Sequence, residues 1–421
     1  MEKLFILFYF LQSKLRRFSS RTQLLKWQQH KIKRHLKWVC QHSEFYKDYK
    51  NKPLNEFPIM NKSIMMENFN ALNTANLDKA ELFELALNAE KTRQFDQSII
   101  NSITVGLSTG TSGQRGLFLA SKNERVKWTG TIFAKLLPNL KQKHRIALLL
   151  RADSPLYQTA GKGRIQFHYA DVTQPLEQWL AQLVEFNPTV IVGSAQAIQL
   201  CAQHKQGLNP TTVISAAEVL TAEDEAFIEQ AFNKPVKQIY QCTEGFLACS
   251  DSNNIMRWNE DNIHIEPHWL NEEKTHYSPI ITDFRRKTQP IIRYLLDDII
   301  EAGEDSGVFK SIKSISGRCG DRLHLQNQKT SAIILPDLIY RAVSYVSDEL
   351  IDYRITQTQR NTVVIESDKL FFEIKESLSE LFYQQGISHT NFLCKDAPVW
   401  NLNEKRRRVV NQVVALKQAE S

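Results

Sequence analysis

The sequence predicts an α/β protein in two parts. One is a large N-terminal domain of mainly parallel sheets covered by helices, with a β-rich portion. The other is a small α+β domain at the C-terminal end. Three observations predict this division. No glycine occurs before Gly106, so residues 1–100 read as helix-rich. Between Arg145 and Tyr240, short apolar runs alternate with amphipathic stretches, the pattern of parallel strands joined by helices. Beyond residue 320, a strand pair and one regular helix make a separate unit. The expected parts are therefore 1–100, 101–319 and 320–421, with a boundary near Arg318 to Arg322.

Each element has its own signal. Over residues 20–45, Leu25, Ile32, Leu36 and Val39 fall near helical spacing, with Lys and Arg on the other face. Asn55–Pro58 and Leu72–Thr74 read as connections. Arg145–Leu150, Pro188–Val192, Thr212–Ser215 and Val236–Tyr240 read as buried strands. Leu176–Phe186, Ile198–Gln203 and Ala222–Phe232 read as the helices between them. Ile280–Asp298 and Ser311–Leu325 look β-rich. In the small unit, Tyr353–Gln357 can pair with Thr362–Glu366. Leu370, Ile374, Leu378 and Phe382 repeat every fourth residue on one helix, and Asn391–Cys394 is a further strand. Ligands of parallel sheets sit at the carboxyl ends of strands, which directs attention to the turns after Val105, Val192, Ser215 and Tyr240.

Composition excludes several classes. The chain has 421 residues, 42% hydrophobic and 24% charged, which is ordinary for a globular protein. Its 15 glycines and 13 prolines are too few for a collagen-like or disordered chain. The longest apolar run, Leu4–Leu11, falls far short of the ~20 residues of a membrane-spanning helix, and no cleavage pattern of a signal peptide follows it. Six cysteines without a CxxC pair read as reduced thiols of a cytoplasmic protein, not as a zinc site. The net charge of +7 is local: residues 1–40 hold ten Lys or Arg against Glu2 alone. Such a segment is either the solvated face of a packed helix or a peripheral membrane contact. No aromatic-basic platform accompanies it, so no nucleic-acid partner is expected.

Five motifs can carry chemistry. Leu107–Gly116 (LSTGTSGQRG) contains Ser108, Thr109, Gly110, Thr111, Ser112, Gly113 and Arg115. Its exposed N–H groups and hydroxyls suit polyphosphate oxygens, although a polar surface turn has the same composition and the Walker pattern is absent. Tyr240–Gly245 (YQCTEG) offers an aromatic ring for a base, Thr243 for a phosphate and Glu244 for Mg²⁺. Pro290–Ile299 carries Arg293, Tyr294, Asp297 and Asp298 after an apolar strand, where a carboxylate can take both ribose hydroxyls. Ser316–Asp321 carries Arg318 at the boundary. Glu404–Val409 is a basic cluster that can deliver one lysine onto developing negative charge.

The order of these motifs resembles the adenylate-forming (AMP-binding) superfamily of acyl-CoA synthetases and related ligases. Within it the chain is most similar to the short phenylacetate-CoA ligase branch. It looks nearest to the adenylate-forming enzymes related to the synthetase that adenylylates the deazaflavin coenzyme. The resemblance covers most of the chain and includes His42–Tyr46, Phe57–Lys62, Ala217–Leu220 and Asn259–Asp261. It implies ATP and Mg²⁺ as cofactors and a mobile C-terminal lid. It implies activation of a carboxylic acid, aryl or short acyl, as an acyl-AMP with release of pyrophosphate. Transfer to a thiol of coenzyme A or an acyl carrier protein would follow.

By the same resemblance, Ser108 to Gly116 would close over the phosphates, with Arg115 as the cation of the loop. Ala216, Ala217 and Glu218 would border the adenine and Tyr240 would stack on it. Thr243 would touch the α-phosphate, Glu244 would hold Mg²⁺, and Asp298 with Arg318 would hold the ribose. Lys405 would bridge the acid and the α-phosphate. Gly193, Ser194 and Phe167–Tyr169 would lie toward the acid. The chain departs from the family pattern at Gln114–Arg115, Gln241, Asp297, Gly320 and Glu404. These departures leave open whether Asp297 or Asp298 holds the ribose, and whether Arg406 or Arg407 shares the work of Lys405. Two alternatives stay beside this reading: AMP transfer to a hydroxyl of a small molecule, and a catalytically decayed nucleotide-binding protein.

Overall fold

The structure is a computed structural model describing residues 2–108, 115–137, 142–151, 164–304, 307–327, 331–347, 351–400 and 405–413. Its start is helical: α1 (Glu2–Leu15), α2 (Arg21–His42), α3 (Lys62–Glu67), α4 (Phe69–Leu72) and α5 (Lys79–Thr92). Ser20, Asn61 and Asp78 cap α2, α3 and α5 by accepting from backbone N–H groups of the first turn. On α2, Ile32, Leu36 and Val39 enter one apolar cluster with Trp258, Ile263 and Ile281. Leu25 does not follow the expected face; it is exposed, and Leu24 is buried instead.

A small antiparallel sheet follows, β1 (Ile99–Ile100), β2 (Ile103–Leu107) and β3 (Leu117–Ser121). The loop 108–116 therefore joins the two strands of a hairpin. After α6 (Lys122–Leu136) come β4 (His144–Leu150), β5 (Ile165–Asp171), α7 (Leu176–Phe186), β6 (Val190–Gly193), α8 (Ala195–Gln203), β7 (Thr212–Ala216), α9 (Ala222–Phe232), β8 (Val236–Cys242), β9 (Gly245–Ser250) and β10 (Met256–Trp258). They form a seven-stranded sheet in the order β10-β9-β8-β7-β6-β4-β5. The run from β8 to β5 is parallel, and β9 and β10 are added antiparallel. β5 has no counterpart in the sequence reading, where Phe167–Tyr169 stood only as part of a pocket wall. Its alternate residues are only half-buried, so its apolar signal is weak.

The β-rich part is an antiparallel sheet of β11 (Ile263–Trp269), β12 (His276–Asp283), β13 (Ile291–Leu295), β14 (Asp298–Ala302) and β15 (Ile312–Arg318). A single turn at Cys319–Asp321 leads into the C-terminal unit. That unit has the hairpin β16 (Leu323–Gln326) and β17 (Ser331–Ile334), then α10 (Pro336–Ser344), β18 (Tyr353–Gln359), β19 (Thr362–Ser367), α11 (Phe371–Gln384), β20 (Asn391–Lys395) and β21 (Val409–Asn411). Its larger sheet runs β20-β19-β18-β21. Ile339, Ile355, Ile365, Ile374 and Leu378 form its own core. Leu370, expected on the helix, is the residue before it and takes φ of 59°. Gly317 has φ of +124°, and a Cβ there would lie 3.0 Å from Pro336, so α10 approaches β15 where only glycine fits. Among the described residues no helix is long and apolar enough to cross a membrane.

Candidate active site

The turn between β8 and β9 lies at the carboxyl end of the parallel sheet and separates two cavities. The wider one is lined by Ala217, Glu218, Tyr240, Asp298, Arg318 and Lys405. The other, much narrower, is lined by Lys62, Ser108, Gly116, Thr243, Glu244 and Tyr294. Residues more than three hundred positions apart, Lys62 and Lys405, thus converge because strand ends, a hairpin mouth and the C-terminal unit meet here. Thr109, Gly110, Thr111, Ser112 and Gly113 lie outside the described residues.

In the larger cavity the Tyr240 hydroxyl donates to Asp298 Oδ2 at 2.5 Å, while its ring packs beside Trp258 at 5.7 Å. Burial, then the Asp298 charge, pushes the Tyr240 phenol well above its ordinary range, so it stays a donor. Arg318 Nε stands 3.9 Å from Asp298 Oδ1. Of the adjacent acids, Asp298 lines the cavity and Asp297 does not. The Asp297 carboxyl is pushed up to about 6, by crowding of its surroundings first and the Asp298 charge second, although the residue remains exposed. Ala217 holds φ of 69°, a left-handed conformation uncommon for a residue with a Cβ.

The C-terminal segment enters this cavity with its arginines committed elsewhere. Arg406 Nη2 pairs with Asp224 Oδ2 at 2.5 Å and Arg408 Nη2 with Asp224 Oδ1 at 3.3 Å. Arg407 pairs with Asp321. Asp224, fully buried, sits in the first turn of α9, where the helix dipole also favours an anion. Glu218, its side chain 2% exposed, accepts from Arg151 Nη2 at 2.7 Å and from the Arg406 backbone N–H at 3.3 Å. Of the two candidates to share the work of Lys405, Arg406 is therefore held on the large unit and Arg407 is held by Asp321 in the boundary turn. Lys405 is half-buried rather than exposed. Burial and then Arg318 lower its pKa, opposed by Asp298 and Glu218.

In the smaller cavity Ser108 closes the hairpin mouth. Its N–H donates to the Gly116 carbonyl at 2.8 Å, and its hydroxyl accepts from the Gly116 N–H at 2.8 Å. Thr243 Oγ1 donates to Glu244 Oε2 at 2.8 Å, and the Tyr294 hydroxyl also bonds the Glu244 carboxylate. Arg115 differs from expectation. It forks onto Glu90 of α5 at 2.8 and 2.7 Å and does not line the cavity. The cation that does line it is Lys62, whose side chain would lie 3.7 Å from a Cβ on Gly116. Burial lowers the Lys62 pKa, and Glu244 opposes this. Lys62 ends the Phe57–Lys62 stretch of the family resemblance, which implies no role for it; Asn61, a helix cap, fixes the lysine at the first position of α3.

The residues expected toward the acid are not brought to either cavity. Ser194 caps α8, His168 stacks on Phe186 at 5.1 Å and Phe167 on Phe133 at 6.1 Å. Among the described residues, the group arranged like metal ligands is His276, Glu301 and Asp337, away from Glu244. There Lys313 and Arg341 already neutralise the two carboxylates, at 2.7 and 3.1 Å.

No protein-family model matches the chain. Protein CapK of Staphylococcus aureus is 25% identical over 278 residues, 61% of this chain and 58% of that protein, so the match spans little more than half of the relative. Among solved structures, a 2-hydroxyisobutyryl-CoA ligase in its postadenylation state with R3-HIB-AMP overlays with a TM-score of 0.63 at 14% identity, over 94% of this chain and 91% of that one. The same ligase in its thioesterification state, with 2-HIB-AMP and CoA, overlays with a TM-score of 0.52 at 14% identity, over 94% and 92%. The chain has the two-part α/β fold of adenylate-forming ligases.

Proposed function

We propose that the protein activates a carboxylic acid by adenylation. The observation that carries this reading is the cavity shared by Lys405 of the C-terminal unit with Tyr240, Asp298 and Glu218 of the large one. ATP would lie with its base against Ala217 and Tyr240, its ribose on Asp298 and Arg318, and its phosphates past Thr243 toward Ser108 and Lys62. A carboxylate oxygen attacks the α-phosphorus and pyrophosphate leaves. The acid is already ionised at neutral pH, so the chain need supply no base. Its task is to bring two anions together, and Lys405 and Lys62 would supply the charge that makes this possible. Glu244 suits Mg²⁺, which takes one or two protein carboxylates and completes its shell with phosphate oxygens. When bound, the ion supplies charge neutralisation at the phosphates.

The better overlay with the postadenylation state than with the thioesterification state supports reading this arrangement as the adenylating one. That neighbour also carries CoA, which supports a thiol acceptor for the acyl group, coenzyme A or a carrier-protein thiol. The sequence resemblance favours an aryl or short acyl acid. The test is ATP–pyrophosphate exchange over a panel of aryl, hydroxyaryl and fatty acids. Exchange stimulated by one class and abolished in Lys405→Ala is expected. Silence across the panel while ATP still binds would overturn acid activation in favour of AMP transfer to a hydroxyl.

A further inference from the structure

Helix α1 has two apolar faces, and one of them is open. On the inner face Ile6 and Phe10 pack into α6, where a Cβ on Gly130 would lie 2.7 Å from the Ile6 carbonyl oxygen. Both ends are tied down as well. Glu2 pairs with Lys122 at 2.6 Å, and Lys14 Nζ donates to the Leu137 carbonyl at 3.2 Å. The outer face carries Leu4, Phe8, Leu11 and Leu15, at positions i, i+4, i+7 and i+11 of one helical stripe. They are 70, 54, 47 and 76% exposed, and Phe5 and Leu7 widen the stripe at 53 and 43%. The remaining exposed large apolar residues are scattered over the fold. A contiguous apolar stripe about 16 Å long marks an interaction surface, not ordinary solvent exposure.

The charge around the stripe selects its occupant. Helical spacing puts Lys3 and Lys14 along one edge of it, both exposed, and exposed Arg17 follows the helix. Lys26, Lys33, Arg34 and Lys37 are exposed on α2, and residues 1–40 contain one acid. A second copy would press two basic rims together, and a neutral apolar partner would leave them unmatched. An anionic lipid surface supplies an apolar layer and the opposite charge at once. The 14 residues of α1 are too few to span a bilayer but suffice to lie in its interface. We propose that α1 docks the protein flat on an anionic lipid surface, with Phe5, Phe8 and Leu11 among the acyl chains and Lys3 and Arg17 on the headgroups.

The test is flotation of the full chain with vesicles of phosphatidylcholine alone, or of phosphatidylcholine with phosphatidylglycerol. Binding to the mixed vesicles that weakens with salt is expected. Phe8→Ser with Leu11→Ser should lower partitioning at least roughly tenfold, and Lys3→Ala with Arg17→Ala should lower it severalfold on anionic vesicles only. The serine variant should keep the wild-type melting temperature, because its two positions face water in the docked helix. No binding to the anionic vesicles, or equal binding by the serine variant, would overturn the proposal. So would a vesicle-free dimer that the same substitutions dissolve, since a second copy would then cover the stripe.

Discussion

The segments 1–40 and 405–408 are both strongly basic, and in the sequence they look alike. The fold treats them differently. Arg406 and Arg408 meet Asp224 of the large unit and so hold the C-terminal unit onto it, while Arg407 meets Asp321 in the turn at the boundary. In the N-terminal segment only part of the charge is spent this way: Arg21 meets Glu260 and Arg16 meets Asp261, while Lys26, Lys33, Arg34 and Lys37 face water. Charge content therefore says little about role. What decides is whether the fold brings an acid to the base: all four basic residues of the C-terminal cluster line the larger cavity, but among the described residues only the three arginines are held in ion pairs there, and Lys405 is not.

The largest effect that would break this comparison is at Lys405. Lys405→Ala should lose roughly 10²–10³-fold in adenylation, the size of removing one donor to a developing charge. Lys33→Ala with Lys37→Ala should leave the same exchange rate within about twofold, because exposed charges away from a site contribute little. Equal losses in the two variants would sink the distinction. Next is the clamp. Asp224→Asn leaves Arg406 and Arg408 facing a neutral group in a buried setting, where breaking such a pair costs about 3–5 kcal/mol. Much of that cost falls on the docked arrangement. Adenylation should drop at least roughly tenfold while ATP binding to the large unit stays near wild type. An Asp224→Asn protein that adenylates normally would show that the clamp does not position Lys405.

A third contrast is between Lys62 and Arg115. Both are basic and both lie near the hairpin mouth, but Arg115 is held by Glu90 and Lys62 lines the cavity with Thr243 and Glu244. Lys62→Ala should raise the KM for ATP by about tenfold, the size of one charged hydrogen bond, and Arg115→Ala by much less. The reverse order in steady-state exchange would return the cationic role to the loop.

These contrasts also mark what could be read in the sequence. Leu176–Phe186 and Ala222–Phe232 are helices over the expected bounds, because their apolar period is strong and polar or proline residues bracket them. The strands before the functional turns were legible for the same reason, as short apolar runs with sharp ends. Motif order brought Ser108, Tyr240, Asp298, Arg318 and Lys405 into one hypothesis. Pairing across the fold was not legible. Nothing local links Arg115 to Glu90 or Asp224 to Arg406, or puts Lys62 in one cavity with Glu244, since each pairing joins separate elements of the chain. The exposed apolar side chains on α1 were hidden likewise, because the run Leu4–Leu11 does not say which face α6 covers.

The same rule operates on the adjacent acids, with the smallest effect. Asp297 and Asp298 are chemically identical, but Asp298 has Tyr240 and Arg318 beside it, and Asp297 has its charged neighbour instead. With its pKa raised to about 6, the Asp297 carboxyl stabilises the fold only while protonated. Its contribution is complete below the ordinary carboxylate range, near pH 4, and is lost as pH rises through 6. Asp297→Asn removes that titration. Because the group is exposed and screened, the gain above pH 6 should be held to about 1 kcal/mol, seen as a higher melting temperature at pH 7 and almost none at pH 4. Asp298→Asn should instead weaken ATP binding. If Asp297→Asn instead were the variant that loses ATP, the two acids would exchange roles, and the cavity lining would have to be redrawn around the outer carboxylate.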